Sequence, residues 1–314
     1  MKLVIIEPLG VAQEILLKMA TDALGTNVEV VYYDIRVTDT ETLIDRGKDA
    51  DIIVVSNLPL NSDVIEGCKN LKLLTVAFTG VDHIAIETCR TNNVTVCNCA
   101  GYSTVAVADL VFGMIISLYR NIIQCDKVVR EGGTKSGLVG FELAGKKFGV
   151  VGTGAIGLRV ANIAKAFGCE VYAYSRTAKE IDGITYVDLN TLLSNCDIVS
   201  LHTPLNDTTR GLINEERLAL MKKSAILINT ARGPVVDSNA LTEALNKGEI
   251  AGAGVDVFDI EPPIQKEHLL FSAPNTIVTP HIAFATKEAL VKRAEIVFDN
   301  VVKWLDNEPQ NVIK

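Results

Sequence analysis

Gly152-Thr153-Gly154-Ala155-Ile156-Gly157 is a G-x-G-x-x-G run set between an apolar strand pattern, Lys147 to Val151, and a helical pattern from Leu158 to Phe167. That setting gives each glycine a task. The first permits a tight turn, the second lets the backbone approach a pyrophosphate, and the third lets the helix lie close to the strand. The start of the helix adds unpaired N–H donors and a partial positive charge. These six residues are therefore the expected phosphate-binding turn of an α/β nucleotide domain. The run lies near the middle of a 314-residue chain, so a unit of comparable size precedes it.

Hydrophobic residues make up 48% of the chain and charged residues 22%, enough for two globular cores. The formal net charge of -8 argues against a nucleic-acid partner. The seven cysteines form no C-x-x-C pair and no zinc-spaced cluster with histidine, so no metal site is expected. Scattered thiols in apolar surroundings suggest a reduced, cytoplasmic protein. The apolar run from Val105 to Ile123 contains Asp109 and Arg120 and falls short of a membrane span. It reads as a buried helix at a domain or subunit contact, with no membrane partner.

Residues 1 to about 98 alternate strand patterns (Leu3–Ile6, Val28–Tyr33, Asp51–Ser56, Leu71–Ala77, Val94–Asn98) with helical ones, as in a parallel sheet. One long helix is expected over 104–131, ended by Gly132-Gly133. Six strands follow, near 147–151, 169–174, 197–201, 225–229, 251–255 and 275–279. The last segment repeats Leu290, Ala294, Val297, Val301 and Leu305 at helical spacing and has no strand of its own. It is expected to cross back to the first unit, which makes that domain discontinuous.

Three motifs follow the glycine run: Thr230-Ala231-Arg232-Gly233-Pro234, Gly254-Val255-Asp256 through Glu261-Pro262, and Pro280-His281-Ile282-Ala283. Arg232 and His281 each come just after a strand end, where α/β sheets bind ligands. A guanidinium can grip a carboxylate in two places and polarise an adjacent carbonyl, and a histidine can exchange a proton near neutral pH. Glu261 could hold the other ring nitrogen. Blander readings are an Arg232 paired with Asp237 or Glu261, and a Glu261 that merely precedes a Pro-Pro turn.

With these motifs in order, the chain resembles the D-isomer-specific 2-hydroxyacid dehydrogenase family over essentially its whole length. The similarity extends to hydroxypyruvate/glyoxylate reductases and D-lactate dehydrogenases. It implies an α/β fold of two doubly wound parallel-sheet domains. A Rossmann dinucleotide domain (101–284) would be inserted into a flavodoxin-like substrate domain (1–100 and 285–314). It implies Arg232, Glu261 and His281 as the catalytic set, and Phe78, Thr79, Gly80, Val81 and Arg232 as substrate-binding residues, with the backbone N–H groups of the loop receiving the substrate carboxylate. It further implies cofactor contacts at Thr203, Pro204 and Thr230, at Asp256 on the nicotinamide carboxamide, and at Thr104 near the ring. Cys99-Ala100-Gly101 stands where the family commonly has x-Pro-Gly. His83 and His268 are expected to be structural or exposed, and the His202 side chain incidental.

A dinucleotide fold that takes NAD usually carries an acidic residue about 20 residues past the first glycine. Here that position is Ser175, followed by Arg176 and Thr177, which can receive a 2′-phosphate. NADP(H) is therefore the expected cofactor, with NAD(H) tolerated. The expected function is NAD(P)-dependent interconversion of a D-2-hydroxy acid and its 2-oxo acid, with hydroxypyruvate or glyoxylate foremost, by a homodimer. A dinucleotide-sensing, co-repressor-like binding protein is the alternative.

Overall fold

The computed structural model describes residues 1–313. The chain forms two compact units: Met1–Ser103 with the segment from Ala285 onward, and Thr104–Phe284.

The smaller unit runs β1 (Lys2–Ile5), α1 (Gln13–Leu24), β2 (Glu29–Tyr32), α2 (Thr40–Gly47), β3 (Ile52–Val55), α3 (Ser62–Gly67), β4 (Leu73–Val76), α4 (Ile86–Thr91) and β5 (Thr95–Asn98). Its strands are all parallel, in the order β2-β1-β3-β4-β5, the flavodoxin-like winding. β3 and β4 are buried at every position, which suits a sheet covered by helices on both faces.

The larger unit begins with α5 (Thr104–Tyr119) and α6 (Ile122–Arg130), then β6 (Lys147–Val151), α7 (Ala155–Ala166), β7 (Glu170–Tyr174), β8 (Ile184–Tyr186) and α8 (Leu189–Asn195). It continues through β9 (Ile198–Leu201), α9 (Glu215–Ala219), β10 (Ile226–Asn229), α10 (Ser238–Asn246), β11 (Gly252–Val255) and β12 (Thr276–Val278). The sheet order is β12-β11-β10-β9-β6-β7-β8. The winding reverses between β6 and β9, and the crevice beyond the carboxyl ends there is where such sheets take ligands. The last helix, α11 (Lys287–Leu305), packs on α1 and β4 of the smaller unit through Ala294, Val297, Phe298 and Val301. The fold class is thus α/β with two doubly wound parallel sheets.

Two expectations need correction. The single helix over 104–131 is two helices bent by 56°. Asn121 breaks it by adopting a left-handed conformation with φ of 50°, which asparagine tolerates better than most residues. Burial stops there as well: α5 buries one face, whereas α6 buries no residue, and Ile122 and Ile123 are exposed. Among the described residues no single helix is long and apolar enough to cross a membrane. The other correction is β8, an edge strand of three residues with one buried side chain, too short for its alternation to stand out.

Candidate active site

The turn after β6 is built by close approach. The Gly152 N–H donates to the Tyr174 carbonyl at 2.8 Å. Gly152 has φ of +99°, and a Cβ there would lie 2.5 Å from the His202 carbonyl oxygen at the end of β9. A Cβ on Gly157 would lie 1.9 Å from the Gly152 oxygen, so the first turn of α7 rests directly on the loop. Only glycine fits such contacts. No side chain caps α7 at Gly154, which leaves its leading N–H groups for an anion.

Three hydroxyls test whether this crevice suits a dinucleotide. Thr153, Thr203 and Thr230, just beyond β6, β9 and β10, have buried Oγ1 atoms with no hydrogen-bond partner among the described residues. Each such group costs about 1–3 kcal/mol if nothing satisfies it. Phosphate oxygens and ribose hydroxyls are the kind of partner they lack, so the residues fit the cofactor. His202 takes no part through its charge: its Nε2 lies 2.9 Å from Ser200 Oγ, and burial pushes its pKa down to about 3. Ser175 and the exposed Arg176 and Thr177 follow β7, beside Gly152 by the Val151–Tyr174 register.

Arg232, Glu261 and His281 lie on successive turns beyond the strand ends. Buried Asn229, the last residue of β10, accepts from Ala231 N at 3.1 Å and donates to the Arg232 carbonyl at 2.9 Å, which shapes the turn that presents the guanidinium. Gly233 then meets the backbone of Phe258, where a Cβ would fall 2.1 Å from the carbonyl carbon. That approach joins the arginine turn to the glutamate turn. Glu261 accepts from Phe258 N at 3.1 Å through one oxygen and pairs with His281 Nδ1 at 2.7 Å through the other. Both of its oxygens are therefore engaged away from Arg232. Asp237, the other partner considered for Arg232, caps α10.

His281 sits at φ of +53°, a costly conformation for a non-glycine residue. The clamp that holds it is Asp256, fully buried beyond β11. Its carbonyl accepts from His281 N at 2.7 Å. Its carboxylate accepts from Thr279 Oγ1 at 2.5 Å, Ile282 N at 2.8 Å and Ala283 N at 2.9 Å. Burial raises its pKa from the ordinary carboxylate value. The motif shows an aspartate at a strand end but not this clamp, because its partners lie more than 20 residues away. Phe284 stands edge-on to the His281 ring at 5.6 Å.

In the smaller unit, the loop after β4 has its carbonyls fixed and its amides free. Cys99 N donates to the Phe78 oxygen at 2.9 Å, Asn98 Nδ2 to the Thr79 oxygen at 2.7 Å, and Ile84 N to the Val81 oxygen at 3.0 Å. The N–H groups of Thr79, Gly80 and Val81 have no partner among the described residues. Consecutive free amides of this kind suit an anion. Thr104 is the first residue of α5. His83 is tied by Nε2 to the Ser56 carbonyl at 2.9 Å, and His268 Nδ1 caps a short turn at Leu270. Six of the seven cysteines are buried, and burial pushes Cys99 and Cys196 up to about 12, so these thiols are poor nucleophiles.

Residues 112–283 match the model of the D-isomer specific 2-hydroxyacid dehydrogenase NAD-binding domain. The chain belongs to this family. It is 41% identical over 281 residues to a glyoxylate reductase of Thermococcus litoralis, covering 85% of this chain and 84% of that one. It is 35% identical to a hydroxypyruvate reductase of Blautia hydrogenotrophica, covering 93% of both. Among solved structures, an acyclic imino acid reductase in complex with NADPH and D-Arg superposes with a TM-score of 0.91 at 32% identity, covering all of both chains. The protein is accordingly an NAD(P)-dependent oxidoreductase acting on the CH–OH group of D-2-hydroxy acids. The co-repressor-like alternative gains no support.

Proposed function

We propose that this dehydrogenase works as a reductase of small 2-oxo acids, with glyoxylate or hydroxypyruvate as substrate and NADP(H) as the preferred cofactor. The observation that carries the chemistry is the 2.7 Å Glu261–His281 pair on turns packed beside that of Arg232, and the similarity to glyoxylate and hydroxypyruvate reductases supports the substrate. When bound, the reduced nicotinamide supplies the hydride. Arg232 holds the oxo acid and polarises its carbonyl. His281, protonated, donates from Nε2 to the carbonyl oxygen, while Glu261 on Nδ1 fixes the ring and stabilises its charge. In the reverse direction His281 takes the hydroxyl proton. The Thr79–Val81 amides receive the substrate carboxylate.

The glycine run, Thr203, Pro204 and Thr230 hold the dinucleotide, with Thr104 and Asp256 at its nicotinamide end. The larger unit is then the dinucleotide domain and the smaller one the substrate domain. The preference for NADP rests on Ser175, Arg176 and Thr177 in place of a carboxylate. We assign a cytoplasmic homodimer as well. The exposed Ile122, Ile123 and Val129 of α6, with Val139 and Phe141 after it, support self-association.

Initial rates with glyoxylate, hydroxypyruvate, pyruvate and a branched 2-oxo acid, each with NADPH and NADH, test the assignment. The first two substrates with NADPH should give the highest kcat/KM. His281→Ala should lower kcat at least ~100-fold with cofactor affinity unchanged. Turnover within a few-fold of the parent would remove His281 from the proton transfer.

A further inference from the structure

We propose that His83 is a positioning residue for the reduction, fixing the amides of Thr79, Gly80 and Val81 that receive the substrate carboxylate. The inference rests on the reading of that loop given above and adds the group that holds it still. β4 lies between β3 and β5, and the loop after it is pinned from both sides. Toward β5, the Phe78 carbonyl accepts from Cys99 N at 2.9 Å and the Thr79 carbonyl from Asn98 Nδ2 at 2.7 Å. Toward β3, the ties run through His83. Its carbonyl accepts from Leu60 N at 3.0 Å, and its ring Nε2 lies 2.9 Å from the Ser56 carbonyl. A carbonyl only accepts, so Nε2 carries the hydrogen and donates. The buried Phe78 ring stands edge-on to the imidazole, with centroids 6.4 Å apart. Ser56 is a firm anchor: it is buried, its N–H donates to buried Glu7 at 2.7 Å, and its hydroxyl oxygen accepts from buried Arg293 at 3.0 Å. The path from that anchor to the amides is short, because the Val81 carbonyl accepts from Ile84 N at 3.0 Å and closes the turn around His83. Hydrogen bonds weaken steeply with misalignment, so amides that share one carboxylate lose affinity together when their loop shifts. The carboxylate is held alike before and during hydride transfer, so the lost binding falls on KM rather than on kcat.

The test is steady-state kinetics with glyoxylate at saturating reduced cofactor. The proteins are the parent, His83→Leu, His83→Asn and His83→Gln, with melting curves to verify folding. A glutamine amide nitrogen reaches as far as Nε2, whereas an asparagine amide reaches only as far as Nδ1. His83→Leu and His83→Asn should raise KM about tenfold with kcat within about twofold of the parent, and His83→Gln should recover most of the loss. The inhibition constant of oxalate, a small carboxylate that cannot accept the hydride, should rise by the same factor. If the parent reduces no 2-oxo acid, the reductase reading fails and this inference with it. If the parent is active and both His83→Leu and His83→Asn keep its KM, the reading stands and the role of His83 is overturned. A fall in kcat as large as the rise in KM, or no recovery in His83→Gln, would make the ring a structural prop, which also overturns the proposal. Should His83→Leu not fold, the contrast between His83→Asn and His83→Gln decides in the same way.

Discussion

At the carboxyl ends of its strands the larger sheet leaves polar groups unpaired, while the smaller sheet spends most of them on itself. In the larger unit Thr153, Thr203 and Thr230 carry buried hydroxyls without partners around a glycine turn. In the smaller unit Ser56, at the end of β3, has all its polar groups taken. Its N–H donates to Glu7 at 2.7 Å, its carbonyl accepts from His83 Nε2 at 2.9 Å, and its hydroxyl oxygen accepts from Arg293 at 3.0 Å. Glu7 also accepts from Leu58 N at 3.0 Å and pairs with Arg36, and Arg293 donates to the Leu9 carbonyl at 2.5 Å. What stays open there is the short row of amides at Thr79–Val81. The same parallel winding thus sets where a ligand can bind, and the groups left unsatisfied decide what kind.

Substitutions on either side can break this contrast. The largest effect is expected from Gly157→Ala, whose methyl would lie 1.9 Å from the Gly152 oxygen. Dinucleotide affinity should fall more than ~100-fold, with a loss of a few kcal/mol in stability, read by NADPH fluorescence titration and thermal melting. Retained binding would show that the turn can move aside.

Glu7→Ala should act on the other side of the comparison. It strands two buried amides, those of Ser56 and Leu58, at a cost of about 3 kcal/mol, while Arg36 keeps its bonds to Asn57. Affinity for 5′-AMP should not change, because the smaller sheet is read as having no part in nucleotide binding. A weakened AMP site would erase the division of labour.

An effect confined to acid pH, and absent at neutral pH, comes last. Burial lowers the pKa of His202 from 6.5 to about 3 in the folded protein, so between those values the unfolded chain binds the proton more readily. This contribution is complete above pH 6.5 and is lost as the pH falls, by at most about 1.4 kcal/mol per unit. His202→Asn should flatten that part of the acid limb in urea melts, and an unchanged slope would show that the ring is solvated.

Much of the site is legible in the chain because it follows local rules. The glycine run, the strand-end positions of Arg232 and His281, and the missing carboxylate at Ser175 can each be read within a dozen residues. Asn121 shows the limit. Helical spacing continues through it, and a left-handed residue in the middle of an apolar pattern leaves no periodic mark. β8 fails for a related reason, since three residues carry too little alternation to recognise.

From sequence alone, then, came two wound α/β units, a dinucleotide turn and the residue types of 2-hydroxyacid chemistry. Turn geometry and hydrophobic period are properties of neighbouring residues. Tertiary structure alone decided which partners those residues have. Glu261 on His281 Nδ1, Asp256 under the turn that carries His281, and Lys179 on the Thr153 carbonyl all join residues 20 or more apart. Such contacts depend on where separate strands end in space, and no local pattern records that.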